Sequence, residues 1–555
     1  MAPEAWLTDM SNCVPESALS SKRRKCHWQL IEYEAEEVSG KMLSAGPETA
    51  PPDVTYPLHM RGWHTIGIGV WGMSLAAGVE NMIEVRLTGD PCFTTFTREK
   101  PSLFTLEEGF WKHADLTGQD LVIRHHQSGF PTTASLAYVR LTPLSDDEVE
   151  RIQKDRQSKE SKRLIAANDG DSDLYMKRPT TKEELVARIE PYRNTDFKKI
   201  FWEIGYGDTT LYPSTRGKML GEGIEDFPRI GDKYTAESLR TLAAKGIDPL
   251  RTVIEYAHSM GLEFHVSQRI EQFATPPPWE ELYSTDFYHE HPELRLVDRD
   301  GKEAVGLSYV FPEVRDFFIS ALKETASYDM DGVAVIYARA PPFILYEKPL
   351  IEGFKAEHGI DPRTLDERDE RWLMYRATFV TQFMREMRQA VEAMGEKLGR
   401  TLETSAMTLA SRKINLFYGM DVDAWVKEGL IDNLIPYPSN DGHSFDETDM
   451  HYYASVTRGT KCKLYPNLMP RRIPPKEIRK RTLAYYDSGA DGIFFWDTNS
   501  RHDTTSMWAT IRRLGHVDEL RALAASAKQE EEPRTMKLLK LGGYPMTGYS
   551  PYRGT

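Results

Sequence analysis

Acidic side chains at the ends of apolar runs are the feature of this sequence that could do chemistry. Glu203 sits beside Trp202 in "KIFWEIG", and Glu271 lies in "HVSQRIEQF" with His265 and Arg269 close by. Glu347 ends "PPFILYE" next to Tyr346, downstream of Tyr337 and Arg339. Glu403 lies inside "RTLETSAM", and Asp169 ends "RLIAAND". Asp497 follows Trp496 in "FFWDTNSRHD", with Arg501 just beyond. Two carboxyl groups facing one bond can hydrolyse it, one delivering a proton and the other attacking or activating water. Asp497 is the best placed, because an acid closing an apolar strand is hard to explain by packing alone. Tyr346 and the prolines before it would desolvate Glu347, raising its pKa as a proton donor requires. Plainer readings stand beside these. Asp169 before Gly170 suits a turn, Glu203 and Glu403 suit ion-paired interior acids, and Glu347 could brace its loop.

Such groups need a scaffold, and the chain supplies a repeating one. From residue 163 to 525, apolar strand candidates alternate with amphipathic helical stretches. The candidates are 163–169, 199–205, 262–268, 332–339, 400–407, 432–438, 461–467 and 491–497. In "PEVRDFFISALKETASY", Val314, Phe317, Phe318, Ala321 and Leu322 share one helical face, and Pro312 suits the first turn. Eight such units predict a parallel (β/α)8 barrel, an α/β fold in which strand C-termini carry the chemistry. The irregular spacing leaves an open doubly wound sheet as the alternative. Residues 27–145 hold short β-branched and aromatic runs between Gly, Pro and Asp clusters, predicting an all-β, jelly-roll-like sandwich. The charged stretch 146–162 reads as a linker helix, residues 1–26 as an N-terminal extension, and 526–555 as a tail docking on the body.

The formal net charge of −14 over 555 residues gives no electrostatic reason to expect nucleic acid or an anionic membrane. No run is long and apolar enough for a membrane helix, and the N-terminus lacks a secretory h-region, so a cytoplasmic location is the expectation; a trimmed secreted chain would look the same. Four scattered cysteines give no zinc or disulfide framework. The "YHEHPE" histidines lack a third ligand at recognisable spacing, so no metal and no cofactor is expected.

Several segments taken in order resemble a known family. These are "FKKIFWEIGYGDTTLYPS" (197–214), "LRTVIEYAHSMGLEFHV" (250–266), "HPELRLVDRDGKEAVGLSYVFPEVRDFFISALKETASYDMDGV" (291–333) and "MDVDAWVKEGLIDNLIPYP" (420–438). Together they are similar to the bacterial glycosyl-hydrolase-like barrel family related to family 10 domains. The resemblance covers roughly 160–500 and implies a barrel acting on glycosidic bonds, with the β-rich unit resembling a carbohydrate-binding module. Its usual fourth-strand carboxylates do not carry over, because Ile336 and Tyr337 follow Asp331-Gly332 here. The expected working pair is therefore Glu347 and Asp497, or Glu271 in place of either. Glu203, Trp202, His265, Arg269, Tyr337, Arg339, Tyr346, Trp496 and Arg501 are the expected carbohydrate-binding residues, aromatic faces stacking on sugar C–H groups. Arg339 could hold a neighbouring carboxylate ionised or bind an acidic sugar. Two other readings are a non-catalytic carbohydrate-binding protein on a degenerate barrel, and a sugar lyase or isomerase using Tyr337, His265 or Arg269.

Overall fold

The structure is a computed structural model that describes residues 3–72, 80–98, 102–126, 131–270, 274–338, 341–438, 447–471, 473–496, 498, 501, 504–526 and 533–546. Glu271, Arg339 and Asp497 lie outside the described residues.

All eight expected strands form. They are β1 (Leu164–Asn168), β2 (Phe197–Glu203), β3 (Glu263–Arg269), β4 (Gly332–Ile336), β5 (Glu403–Thr408), β6 (Asn433–Pro436), β7 (Lys463–Leu464) and β8 (Ile493–Phe495). They pair in parallel in the order β7-β6-β5-β4-β3-β2-β1-β8. The ring closes because the Phe494 N–H donates to Pro466 O and the Leu468 N–H donates to Phe494 O, each at 3.0 Å. That closure gives the (β/α)8 barrel and removes the open-sheet alternative. Helices cover the strands outside and side chains fill the barrel inside, so β1 and β4 are buried along their whole length. Burial on both faces is why these strands read as continuous apolar runs.

The N-terminal end of the barrel is fastened by a repeated device. Asp331, Asp432 and Asp491 stand at the entrances of β4, β6 and β8. Their carboxylates accept the backbone N–H of Phe264 (2.7 Å), Thr404 (2.8 Å) and Leu464 (3.0 Å) on the preceding strands. Asp331 also bonds His258 Nε2 at 2.8 Å, and that bond raises the His258 pKa. Gly332 has to be glycine, since a Cβ there would lie 2.7 Å from the His265 ring and 2.6 Å from Glu403 O. The "AH…GLE.H" and "DG" portions of the sequence pattern are thus explained as barrel carpentry.

The N-terminal unit is a mainly antiparallel sheet folded over a large core, with a second, smaller cluster that includes Tyr33, Leu106 and Tyr138. Ile68 and Val139, near one end of the strand order, pack in the same cluster as Val85 and Ile123 from the other end. Residues 1–26 are not a separate extension. Strand Ala5–Leu7 pairs with Tyr138–Pro143, and Met10 and Cys13 enter the core. Nor does the tail merely dock. Strand Arg534–Leu541 inserts between Ser102–Asp115 and Trp28–Ala35, burying Met536 and Leu538. The linker region forms the helix Asp146–Gln157, begun by a reciprocal Ser145–Glu148 capping box. Among the described residues no helix is long and apolar enough to cross a membrane.

Candidate active site

Side chains on β2 alternate between interior and exterior, which separates two residues that the sequence placed together. Glu203 points into the barrel, while Trp202 points outward and packs on Phe264 in the helical layer. The same parity governs β4. Ile336 lines the interior, so Tyr337 turns outward, fully buried against Phe343 and Trp425 with its hydroxyl on Met384 Sδ at 3.0 Å. Tyr346 packs on Trp372 beneath the surface, the rings tilted at 31° with centres 5.1 Å apart. Trp202, Tyr337 and Tyr346 are therefore core residues, not sugar platforms.

His265 lies low in the barrel. It stacks on Phe201 and is buried beside Lys199, and burial with that ammonium depresses its pKa to about 3. Lys199 Nζ donates to Glu403 and lies 3.3 Å from Glu263, while Asn433 Nδ2 donates to Glu403 at 2.7 Å. Burial alone would raise the Glu403 pKa, but Lys199, His265 and Asn433 outweigh it and hold it at about 2. Glu263, His265 and Glu403 bring three donor atoms close enough for a metal. The Lys199 ammonium already supplies the cation between the two carboxylates, so a second cation would meet repulsion there. Glu403 is the ion-paired interior acid that was one of its two readings.

At the C-terminal end of the strands opens a cleft of about 980 Å³. Its walls come from the segments after β1, β2 and β3, the short strand Glu303–Leu307, the Pro341–Phe343 loop and Arg471. Three aspartates line it. Asp169 accepts the Ser172 N–H at 3.0 Å and the Ser172 hydroxyl, fulfilling its turn role while still facing the cleft. Asp171 accepts the Tyr206 hydroxyl at 2.7 Å. Asp232, 3% exposed, accepts Arg229 Nε at 3.0 Å and Nη2 at 2.6 Å and the Tyr283 hydroxyl at 2.7 Å. The Tyr206 and Tyr283 rings meet edge to face at 4.9 Å, joining the two acid–tyrosine pairs into one wall. Burial first, and Asp171 second, push the Tyr206 pKa well above the usual phenol value, so its hydroxyl remains a donor.

On the floor, Arg269 clamps Glu203, with Nη2 to Oε1 and Nε to Oε2 both at 3.0 Å, and lies 5.5 Å over the Trp496 ring. Trp496 is 2% exposed, and its Nε1 finds no acceptor among the described residues. Arg501 is buried over the Phe495 ring at 5.4 Å, donating to Leu468 O at 2.9 Å. Glu347 lies elsewhere. It is 1% exposed, is not part of the cleft wall, and accepts the N–H groups of Val297 (3.1 Å) and Leu345 (3.1 Å). Burial raises its pKa against those bonds, but its lone pairs serve the backbone.

Of the expected residues, Arg269 lines the cleft, with Glu203 and Trp496 directly beneath it. Asp171, Arg229, Asp232, Tyr283 and Arg471 were missed. Arg229 and Asp232 belong to the long insertion after β2, well beyond the strand end where acids were sought. The acids of this end are unevenly spread. β1 and β2 bring Asp169, Asp171 and Glu203, whereas β4, β5 and β6 end in Ile336, Thr408 and Pro436.

The chain belongs to the glycosyl hydrolase-like 10 family, which it matches over residues 165–481. No curated protein matches it in sequence. Among solved structures it is similar to alpha-L-fucosidase isoenzyme 2 from Paenibacillus thiaminolyticus, at 14% identity and TM-score 0.42 over 65% of this chain. It spans half the length of that fucosidase, 50%. It is also similar to TtGalA, an alpha-galactosidase from Thermus thermophilus solved with stachyose (11% identity, TM-score 0.35, covering 88% of this chain and 96% of that one). An alpha-amylase from Lactobacillus plantarum gives 14% identity and TM-score 0.36, covering 68% of this chain and 86% of the amylase.

Proposed function

We propose that this chain hydrolyses glycosidic bonds at the C-terminal rim of its barrel, with Glu271 and Asp497 as the working carboxylates. The observation that carries the reading is a large cleft at the end of the strands where barrel chemistry occurs, walled by acids, arginines and tyrosine hydroxyls. Glu271 follows Ile270, which lines that cleft, and Asp497 follows Trp496, which lies under Arg269. One of the pair protonates the leaving oxygen, and the other attacks the anomeric carbon or activates water. Asp171 and the Tyr206 hydroxyl bind sugar hydroxyls, while Ile230 and Val305, 53% and 55% exposed, offer an apolar rim to pyranose C–H faces. Glu347 acts as a brace and not as the acid.

The experiment is release of reducing ends from an oligosaccharide panel by the wild type, Glu271→Gln and Asp497→Asn. Loss of about 10²- to 10⁴-fold in kcat is expected for each amide. Wild-type rates in both variants would reject the pair.

A second reading, binding without cleavage, is favoured by the last residues of β4, β5 and β6, which are Ile336, Thr408 and Pro436 and not acids. Calorimetry with the same panel separates the two, since saturable binding with no product supports this alternative. The lyase or isomerase reading is weakened because Tyr337 and His265 are buried away from the cleft.

A further inference from the structure

A second cavity, of about 290 Å³, lies at the joint between the β-sandwich and the barrel. The sandwich contributes Trp63, Phe110 and Trp111, the barrel side Trp508 and Arg512, and the linker helix Arg156. The charges here are unevenly matched. Lys112 pairs with Asp90 at 2.5 Å and Arg193 with Glu190 at 2.8 Å. Nearby, Asp155 and Asp196 are taken up by Arg513 and His516. Arg156 and Arg512 have no carboxylate partner among the described residues.

Both guanidiniums instead rest on aromatic faces, Arg156 5.2 Å from the Trp63 ring centre and Arg512 4.8 Å from that of Phe110. Their N–H edges remain free for in-plane acceptors, and little of that capacity is used. Arg156 Nη2 donates to His113 O at 2.8 Å, and Arg512 Nη2 makes a long 3.4 Å bond to Asn194 O. The Arg512 Nε is buried with no acceptor among the described residues. Burial and the neighbouring Arg513 and Arg156 charges lower the Arg512 pKa to about 10, and burial with the same arginines lowers His113 to about 4. Two like charges gathered in one partly closed pocket repel each other, and of the acids that line it Asp90 and Glu190 are already paired with Lys112 and Arg193, while Asp115 accepts the Thr117 N–H at 2.9 Å.

We propose that this joint is a binding site for a small oxyanion-bearing ligand, a carboxylate or phosphate carried on a body no larger than a monosaccharide. The planar guanidinium forks match the oxygen geometry of either group, and the aromatic walls accept an apolar sugar face. A ligand held by Arg156 of the linker, Arg512 of the barrel and the sandwich aromatics would couple the two units. The site is separate from the barrel cleft, so its test is independent of glycosidic activity.

The test is calorimetric titration of the full chain with inorganic phosphate, with glucuronate and with uncharged glucose, repeated on Arg512→Gln and Arg156→Gln. Saturable binding of phosphate or glucuronate is expected, with glucose silent and about tenfold or greater weakening in either folded variant. Binding of glucuronate alone would identify a sugar acid, and binding of phosphate alone a phosphate group. The proposal is overturned if neither anion binds saturably, if glucose binds as well as glucuronate, or if neither variant weakens binding.

Discussion

Glu347, Asp331, Asp432 and Asp491 spend their carboxylates on backbone N–H groups, and in this molecule that marks a fastener. Replacing Glu347 with Ala would leave the Val297 and Leu345 N–H groups unpaired at a site 1% exposed. A loss of about 1–3 kcal/mol of stability is expected, read by denaturant midpoint, with kcat unchanged in the folded fraction. A large fall in kcat without a stability loss would restore Glu347 to the chemistry. Gly332→Ala makes the complementary point, because its Cβ would press on the His265 ring and on Glu403 O. Both are packed neighbours, and a cost of about 1–3 kcal/mol is expected in the same melts. Sequence alone could list the acids but could not assign them. The difference between Glu347 and the cleft aspartates lies in what each oxygen faces, and residue type does not carry that information.

The strands of the barrel were readable because burial on both faces writes each as a short apolar run, and all eight expected segments became strands. Trp202 and Glu203 were expected at one site although, by side-chain parity, neighbours in a strand face opposite ways, and the structure separates them. The sandwich boundaries were less legible. Strand Ala5–Leu7 is three residues long, and such a segment shows no period until its partner is known. The tail strand Arg534–Leu541 finds its neighbours hundreds of residues away, so nothing local marks it as a central strand of the sheet. Leu538, 0% exposed there, tests its weight. Leu538→Ala is expected to cost about 2–5 kcal/mol, and a change below about 0.5 kcal/mol would show that the strand is dispensable.

In the molecule as a whole, a polar clasp ties the linker helix to the barrel, where His516 sits between Asp196 (2.7 Å) at the entrance to β2 and Asp155 (2.6 Å) on that helix. The bond to Asp196 raises its pKa to about 9, against burial and the nearby Arg513. Unfolded, the same imidazole titrates near its ordinary value of about 6.5. The folded state binds the proton more tightly, so the stabilisation is full below about pH 6.5 and fades as pH rises through about 9. Melts across that window should lose about 1–2 kcal/mol in the wild type, after allowance for partial exposure, and show a flatter slope in His516→Gln. Identical slopes would remove the clasp from the account. The central claim is tested most directly by product analysis of the oligosaccharide panel in ¹⁸O-labelled water, with wild type, Glu271→Gln and Asp497→Asn compared. Hydrolysis at the rim predicts one labelled oxygen at each new reducing end in the wild type and a loss of product in both amide variants. Saturable glycan binding with no labelled product, or labelled product at wild-type rates in both variants, would contradict it.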